Sequence, residues 1–286
     1  MLIDCGVDWE PGHDRLMHGL AELSVDPAAI HTLIVSHLHP DHVGMAPRLT
    51  HDHGWRLLMH RSAAGNHVVY NDTPGLQRWM VGFGTGNGVP PAVLAPFADV
   101  TRPDYMPHLR PPDIVVDDGD HIPLEAGRHL EVLHTPGHEH SHICLRDSRT
   151  GILFSGDHIL PRITPVIMWD QTETDVLGMY LESVSRLVVM RIGLTYPAHG
   201  SIVERGGQRA EQILLHHERR LSGMEEIVER GPATAWQVME GAYRPHLTSL
   251  EQRLALRETV SHLEHLRLFE RLLRFDEDGI RWYRRS

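Results

Sequence analysis

His37, His39, Asp41 and His42 fall within six positions, in the string His37-Leu38-His39-Pro40-Asp41-His42. Imidazole nitrogens and carboxylate oxygens are the donors that zinc and similar divalent ions take. His37 and His39 are two apart, so in an extended segment they point the same way and can grip one ion. Asp41 and His42 come where the chain turns and can face a second point nearby. The chain carries 24 histidines, so a chance His-x-His is common. The denser pattern, placed directly after an apolar strand, is much less so.

The surrounding residues say what positions this cluster. Thr32-Leu33-Ile34-Val35 is a short, apolar, β-branched run that reads as a buried strand. Val43-Gly44-Met45-Ala46-Pro47 reads as a turn into a short helix. The cluster therefore sits at a strand end, the usual place for a site in an α/β sheet. Two adjacent ions need more ligands than six residues supply. Three further turns follow strand-like runs: Thr135-Pro136-Gly137-His138, Ser155-Gly156-Asp157-His158 and Pro197-Ala198-His199-Gly200.

In these four motifs, spread over about 160 residues, the sequence resembles the metallo-β-lactamase superfamily. The resemblance implies an α/β fold, an αββα sandwich, with a dinuclear centre. In it His37, His39 and His138 hold one metal, Asp41, His42 and His199 hold the second, and Asp157 bridges them. A metal-bridging hydroxide is the implied nucleophile, because a metal lowers the pKa of bound water toward ~7. Zn²⁺ is the expected ion, although the same ligands serve Mn²⁺ or Fe. Asp41 is also a candidate proton shuttle. The segment from His158 to Pro165 resembles a branch close to the glyoxalase II-like and β-lactamase-like 2 hydrolases. His158 and Arg162 are candidate catalytic contacts, with Arg162 either pairing a substrate carboxylate or forming a surface ion pair. Leu2-Ile3-Asp4-Cys5-Gly6 resembles an early family segment that two or three strands normally precede. The N-terminal strands are accordingly expected to be short or missing.

Residues 1–204 read as the catalytic domain and 205–286 as a mostly helical, winged-helix-like C-terminal domain, of the kind the β-lactamase-like 2 branch carries. Helices are expected at 14–23, 174–189, 208–228, 235–239 and 250–273. Strands are expected at 113–118, 122–124 and 129–134, with a hairpin of 143–145 and 152–154, and a second hairpin closes the chain around Asp276-Glu277-Asp278-Gly279. Residues 71–112 are rich in Gly and Pro, with scattered Trp79, Met80, Phe83, Phe97, Tyr105 and Met106. They read as an insert that shapes a substrate pocket. Gly82-Phe83-Gly84-Thr85-Gly86-Asn87-Gly88 suggests a phosphate loop, but it lacks the preceding strand and following Lys that such a loop needs.

Charge narrows the function. All 27 basic residues are Arg, and the net charge of −11 lies entirely in residues 1–203; residues 204–286 hold 14 Arg against 14 acids. A negative body suits a polyanion poorly. Two cysteines give no disulfide framework, and no apolar run of eighteen or more residues suggests a membrane span. No secretory signal is visible, so the cytoplasm is the default location. The expected function is a dinuclear hydrolase of a small ester, thioester or lactone, with a small-molecule substrate as its partner. The alternative is a metal-dependent endoribonuclease holding single-stranded RNA on the C-terminal domain; charge disfavours it without excluding it. A non-enzymatic binding protein would not need seven ligands. β-Lactam hydrolysis fits less well, since lactamases usually have Cys at the bridging position. The C-terminal part could also serve as a homodimer contact.

Overall fold

Alternation along two short strands fixes the layers. The computed structural model describes residues 1–63, 72–100, 109–170 and 174–286. In β2 (Thr32–Ile34) Leu33 turns to one face of its sheet and Ile34 to the other, both fully buried. In β3 (Arg56–His60) Leu57 and Leu58 divide the same way. A parallel strand covered on both faces reads as one apolar run, which is why this stretch shows no polar alternation. With β1 (Leu2–Ile3) and β4 (Ile114–Val116), these strands form a parallel sheet in the order β1-β2-β3-β4. Helix α1 (Glu10–Glu22) and helix α3 (Ala46–His53) cover its outer face through Leu16, Met17, Leu20, Ala46 and Leu49. Between them lies the short α2 (Pro40–Val43). Helix α1 starts ahead of the expected residue 14, because Pro11 fits a first helical turn that has no use for its missing amide proton.

The inner face packs on a second sheet. Its order is β5 (His121–Pro123), β6 (His129–His134), β7 (Ile143–Asp147), β8 (Leu153–Gly156) and β9 (Thr195–Pro197). Ile34, Leu58 and Val116 meet Ile122, Leu130, Val132, Ile143 and Leu145 between the sheets. Truncating a side chain as buried as Ile34 costs about 2–5 kcal/mol. Pairing is antiparallel from β5 to β8 and parallel between β8 and β9, so β6, β8 and β9 run the same way. The outward side chains Leu133, Cys144 and Leu153 pack beneath a helix further along the chain, Val176–Val189. Helix, sheet, sheet, helix is the expected αββα order.

Between β3 and β4 the insert holds α4 (Thr73–Gly86) and α5 (Pro91–Ala98). Residues 71 and 101–108, with Tyr105 and Met106, lie outside the described residues. Gly82, Gly84 and Gly86 lie within α4, so the glycine run is helix rather than a phosphate loop. Gly84 lets α5 come close: a Cβ there would stand 2.8 Å from Leu94.

After α6 (Val176–Val189) and β9 the chain forms α7 (Gly206–Glu229), β10 (Ala233–Thr234), α8 (Ala235–Ala242) and α9 (Ser249–Leu268). It ends in the hairpin of β11 (Leu272–Glu277) and β12 (Ile280–Arg285), to which β10 adds. Thr234 and Thr248 cap α8 and α9 reciprocally with Gln237 and Glu251. Helix α9 stops short of the expected residue 273, because Glu270 adopts a left-handed φ of 58° and turns the chain back into a strand. One apolar cluster joins Tyr180 and Leu187 of α6, Ile213 and Met224 of α7, Trp236 and Leu256 beyond, and Met80, Phe83 and Phe97 of the insert. Packing is therefore continuous across residue 204, and the insert rests on the C-terminal helices.

Both cysteines are buried thiols. Cys5 Sγ donates to His42 O at 3.1 Å. Burial pushes the Cys144 thiol up to about 12 and raises Cys5 as well. Among the described residues no helix is long and apolar enough to cross a membrane.

Candidate metal centre

The four motifs meet at strand ends. His37 and His39 follow β2, and His39 is the N-cap of α2, whose single turn carries Asp41 and His42. Pro40 at the first helical position forces that turn early. His138 follows β6, Asp157 follows β8 and His199 follows β9. A hydrogen bond from Ile143 N–H to Ser36 O (2.9 Å) joins the two sheets beside the cluster. Gly137 holds φ +127° with Tyr180 pressed against it, where a Cβ would come within 2.4 Å of the Tyr180 Cβ. Only glycine lets His138 enter at that angle.

Donor atoms of His37, His39 and His138 lie within 4.8 Å of one another, as do those of His37, His42 and Asp157 and those of Asp41, His42 and His199. Asp157 spans the cluster: Oδ2 is 3.7 Å from His138 Nε2, while Oδ1 is 3.5 Å from both His42 Nε2 and His199 Nε2. Asp41 Oδ2 stands 3.0 Å from His199 Nε2 and 3.7 Å from His42 Nε2. His37 Nε2 and His39 Nδ1 are 2.9 Å apart. All seven residues singled out as ligands are thus brought together. They are unevenly covered: the His42 side chain is 1% exposed, those of Asp41 and His199 46% and 49%.

Hydrogen bonds settle which ring nitrogens face inward. His138 Nδ1 lies 2.9 Å from Val166 O, which can only accept, so the proton is on Nδ1 and Nε2 keeps a lone pair. His42 Nδ1 donates to Asp4 Oδ2 at 2.8 Å, which turns its Nε2 toward the cluster. Asp4 also accepts from Ser36 N (2.7 Å) and Ser36 Oγ (2.8 Å), and Ser36 Oγ meets His37 Nδ1 at 3.0 Å. One carboxylate thus orients two of the histidines. Sequence reading assigns Asp4 no role, because its partners are 32 and 38 positions away.

Among the described residues, His42 Nε2, His138 Nε2 and Asp157 Oδ1 are buried without a hydrogen-bond partner. Buried lone pairs left unpaired are costly, and a divalent cation among them removes that cost. The donor set fits such an ion in type and in orientation. Electrostatics divide the rings. Burial and the neighbouring rings hold His37 and His39 well below the usual histidine pKa, keeping them neutral. Burial opposes protonation of His42 too, but Asp157 and Asp4 outweigh it and push its pKa up to about 10, so an ion bound there would take the place of the Nε2 proton. Burial likewise works against the Asp157 carboxylate, yet His42, His138 and His199 hold its pKa below the usual value.

The flanking candidates separate. His158, expected to reach a substrate, is instead fully buried: its Nε2 lies 3.2 Å from Ser183 Oγ, and its carbonyl accepts from Tyr180 OH at 2.9 Å. Asp157 and His158 are successive residues of one tight turn and point apart, so His158 belongs to the core beneath α6. Arg162 is exposed and lines a cavity of about 350 Å³ with Leu160, Pro161, Ile163 and His199. His142 Nε2 accepts from Asp157 N–H at 3.2 Å and steadies that turn. His140 pairs with Asp170 at 2.6 Å. Arg257 on α9, which no motif marks, lines a second cavity with His39 and His138.

The sequence profile of the metallo-β-lactamase superfamily matches residues 1–199. The chain is 24% identical to the atrochrysone carboxyl ACP thioesterase of Emericella nidulans, over 89% of its own length and 70% of that protein. It is also 24% identical to the β-lactamase-like protein 2 homolog of Drosophila melanogaster, over 94% and 84%. Identity to the lactamase-like protein aptB of Emericella nidulans is 30% over 49% of the chain, which spans only 41% of that protein. Among solved structures, a metallo-β-lactamase family protein from Thermus thermophilus superposes with a TM-score of 0.81 at 26% identity, over 99% of this chain and 89% of that one.

Proposed function

Because the chain belongs to the metallo-β-lactamase superfamily, we propose that it is a hydrolase that holds two divalent metal ions and cleaves a small ester, thioester or lactone. The observation that carries this reading is the convergence of unpartnered, correctly oriented donors on one point between the sheets. The thioesterase name of one relative, matched over 70% of its length, supports the bond type. His37, His39 and His138 would hold one ion, Asp41, His42 and His199 the other, and Asp157 would offer one oxygen to each. Zn²⁺ is the proposed ion. Bound there, the metals supply an activated water and Lewis-acid polarisation of the scissile carbonyl.

The chain's own residues do the rest. Asp4 and Ser36 fix the rings of His42 and His37. Asp41, half exposed, would take a proton and pass it to solvent. Two cavities flank the cluster, one at His39 and His138 and the other at His199, so an acyl part and a leaving group can lie on opposite sides of the reacting carbonyl. Arg162, with no ion pair among the described residues, would meet a polar part of the substrate.

The test is metal content by elemental analysis, together with turnover of a thioester, an aryl ester, a lactone, a phosphodiester and a short RNA. About two ions per chain with ester or thioester turnover supports the reading. Cleavage of RNA with silent small esters would overturn it.

A further inference from the structure

Arg257 is an outlier in the molecule: a cation brought from the C-terminal helix α9 to the wall of a cavity shared with His39 and His138. The cavity measures about 110 Å³ and is also lined by His140, Met168 and Asp170. The side chain is held firmly. Its Nε donates to Trp169 O at 2.8 Å, Trp169 N–H donates back to Arg257 O at 3.1 Å, and the guanidinium lies 5.3 Å from the centre of the Trp79 ring. Ser261 Oγ pins the same loop through Ile167 O at 2.8 Å. The two outer nitrogens make no hydrogen bond or ion pair among the described residues. The nearby Asp170 is bonded to His140 at 2.6 Å.

A guanidinium fork fixed by its inner nitrogen, with both outer nitrogens unpaired, matches a carboxylate bidentately. Arg257 is part-buried at the cavity wall beside Asp170, and an anionic ligand entering the cavity can take up its outer nitrogens. At about 110 Å³ the cavity is smaller than the pockets that take drug-sized ligands, and a small charged group suits it. That volume is enough for a carboxylate and one or two methylenes.

We infer that this cavity is a subsite for a carboxylate on the acyl part of the substrate, a short distance from the scissile carbonyl, and that Arg257 selects it. The inference rests on the hydrolase reading for its orientation, with the acyl part on the His39 and His138 side and the leaving group on the Arg162 side. The substrate class is therefore a monothioester or monoester of a short dicarboxylic acid.

The experiment compares succinyl and butyryl thioesters of one small thiol on the metal-loaded full chain. Wild type should favour the succinyl ester by about tenfold or more in kcat/KM, and Arg257→Gln should reduce that ratio by about tenfold, mainly through KM. Arg257→Lys, which keeps the charge without the fork, should recover part of it. No preference in wild type, or equal loss on both esters in Arg257→Gln, overturns the inference. Calorimetric titration with succinate and with butyrate separates it from the hydrolase reading. Succinate binding that Arg257→Gln abolishes, with neither thioester cleaved, supports the subsite and rejects the hydrolase. Equal turnover of both thioesters keeps the hydrolase and rejects the subsite. Should Arg257→Gln fail to fold, inhibition of wild-type butyryl turnover decides: succinate inhibiting at least about tenfold more strongly than butyrate supports the subsite, and equal inhibition overturns it.

Discussion

Two clusters of buried histidine lie close together in this protein, and unpartnered ring nitrogens occur in both. At the strand ends His42 Nε2 and His138 Nε2 lack partners among the described residues; in the core His158 Nδ1 and His217 Nε2 lack them. The difference is what surrounds them. The strand-end rings converge on Asp157, with Asp41 beside them and Asp4 behind. The core rings are strung out: His158 lies against Tyr180, Tyr180 against His217, and His217 Nδ1 lies 3.1 Å from His262 Nε2. His262 Nδ1 then bonds Glu258 O at 2.8 Å. No carboxylate joins them in a metal-sized group among the described residues. Burial of histidine is therefore a poor sign of a metal site, and convergence with an anion is the better one.

The sharpest way to break this contrast is to empty one cluster at a time. His138→Ala should remove about one ion per chain and at least about a hundredfold of kcat/KM, while His217→Phe should leave metal content intact. Elemental analysis of both variants checks it, and parallel metal loss would erase the distinction. Asp4→Asn should weaken metal affinity by about 10–100-fold, since outer partners of ligands carry effects of that size. Chelator competition reads this directly, and an unchanged affinity would make Asp4 merely structural.

Acid should separate the clusters in another way. Burial holds His158 and His262 at about 3 and His217 at about 2 in the folded chain, against an ordinary value of about 6.5. Below pH ~6.5 the unfolded chain takes up protons that these folded residues refuse, so stability is full above that pH and falls as pH drops toward 3. Chemical denaturation of chelated protein at several pH values should show this slope, and His262→Phe should flatten it. A slope unchanged by that substitution would mean the core rings contribute nothing to it. The smallest expected effect is at exposed Arg162: Arg162→Gln should raise KM by no more than about fivefold, with metal content unchanged, as suits a solvent-screened charge. A larger rise would place it in direct, desolvated contact with substrate.

The ligands are legible in the sequence because each stands at a strand end, where short apolar runs stop at turns with recognisable residues. The layers are legible for the same reason, from Leu33 and Ile34 outward. Arg257 is not, because it lies mid-helix with no local pattern, and only the packing of α9 on the Trp169 loop brings it to the cavity. Asp4 resembles a family segment, yet its task depends on pairing β1 with β2. His158 misleads because it adjoins Asp157 along the chain while its side chain points the other way in space. The end of α9 is overrun because Leu268 to Leu273 stays largely apolar through the turn at Glu270.

The two buried thiols have a practical consequence. Cys5 lies under His42, and Cys144 lies on the far face of the second sheet. A coloured disulfide reagent in the buffer should find nothing to react with on the folded chain. Thiol released from a thioester can then be followed continuously against a flat baseline. Without substrate, the same dye becomes a clock: two unequal rates of labelling would report which outer layer opens first, the one over Cys5 or the one over Cys144.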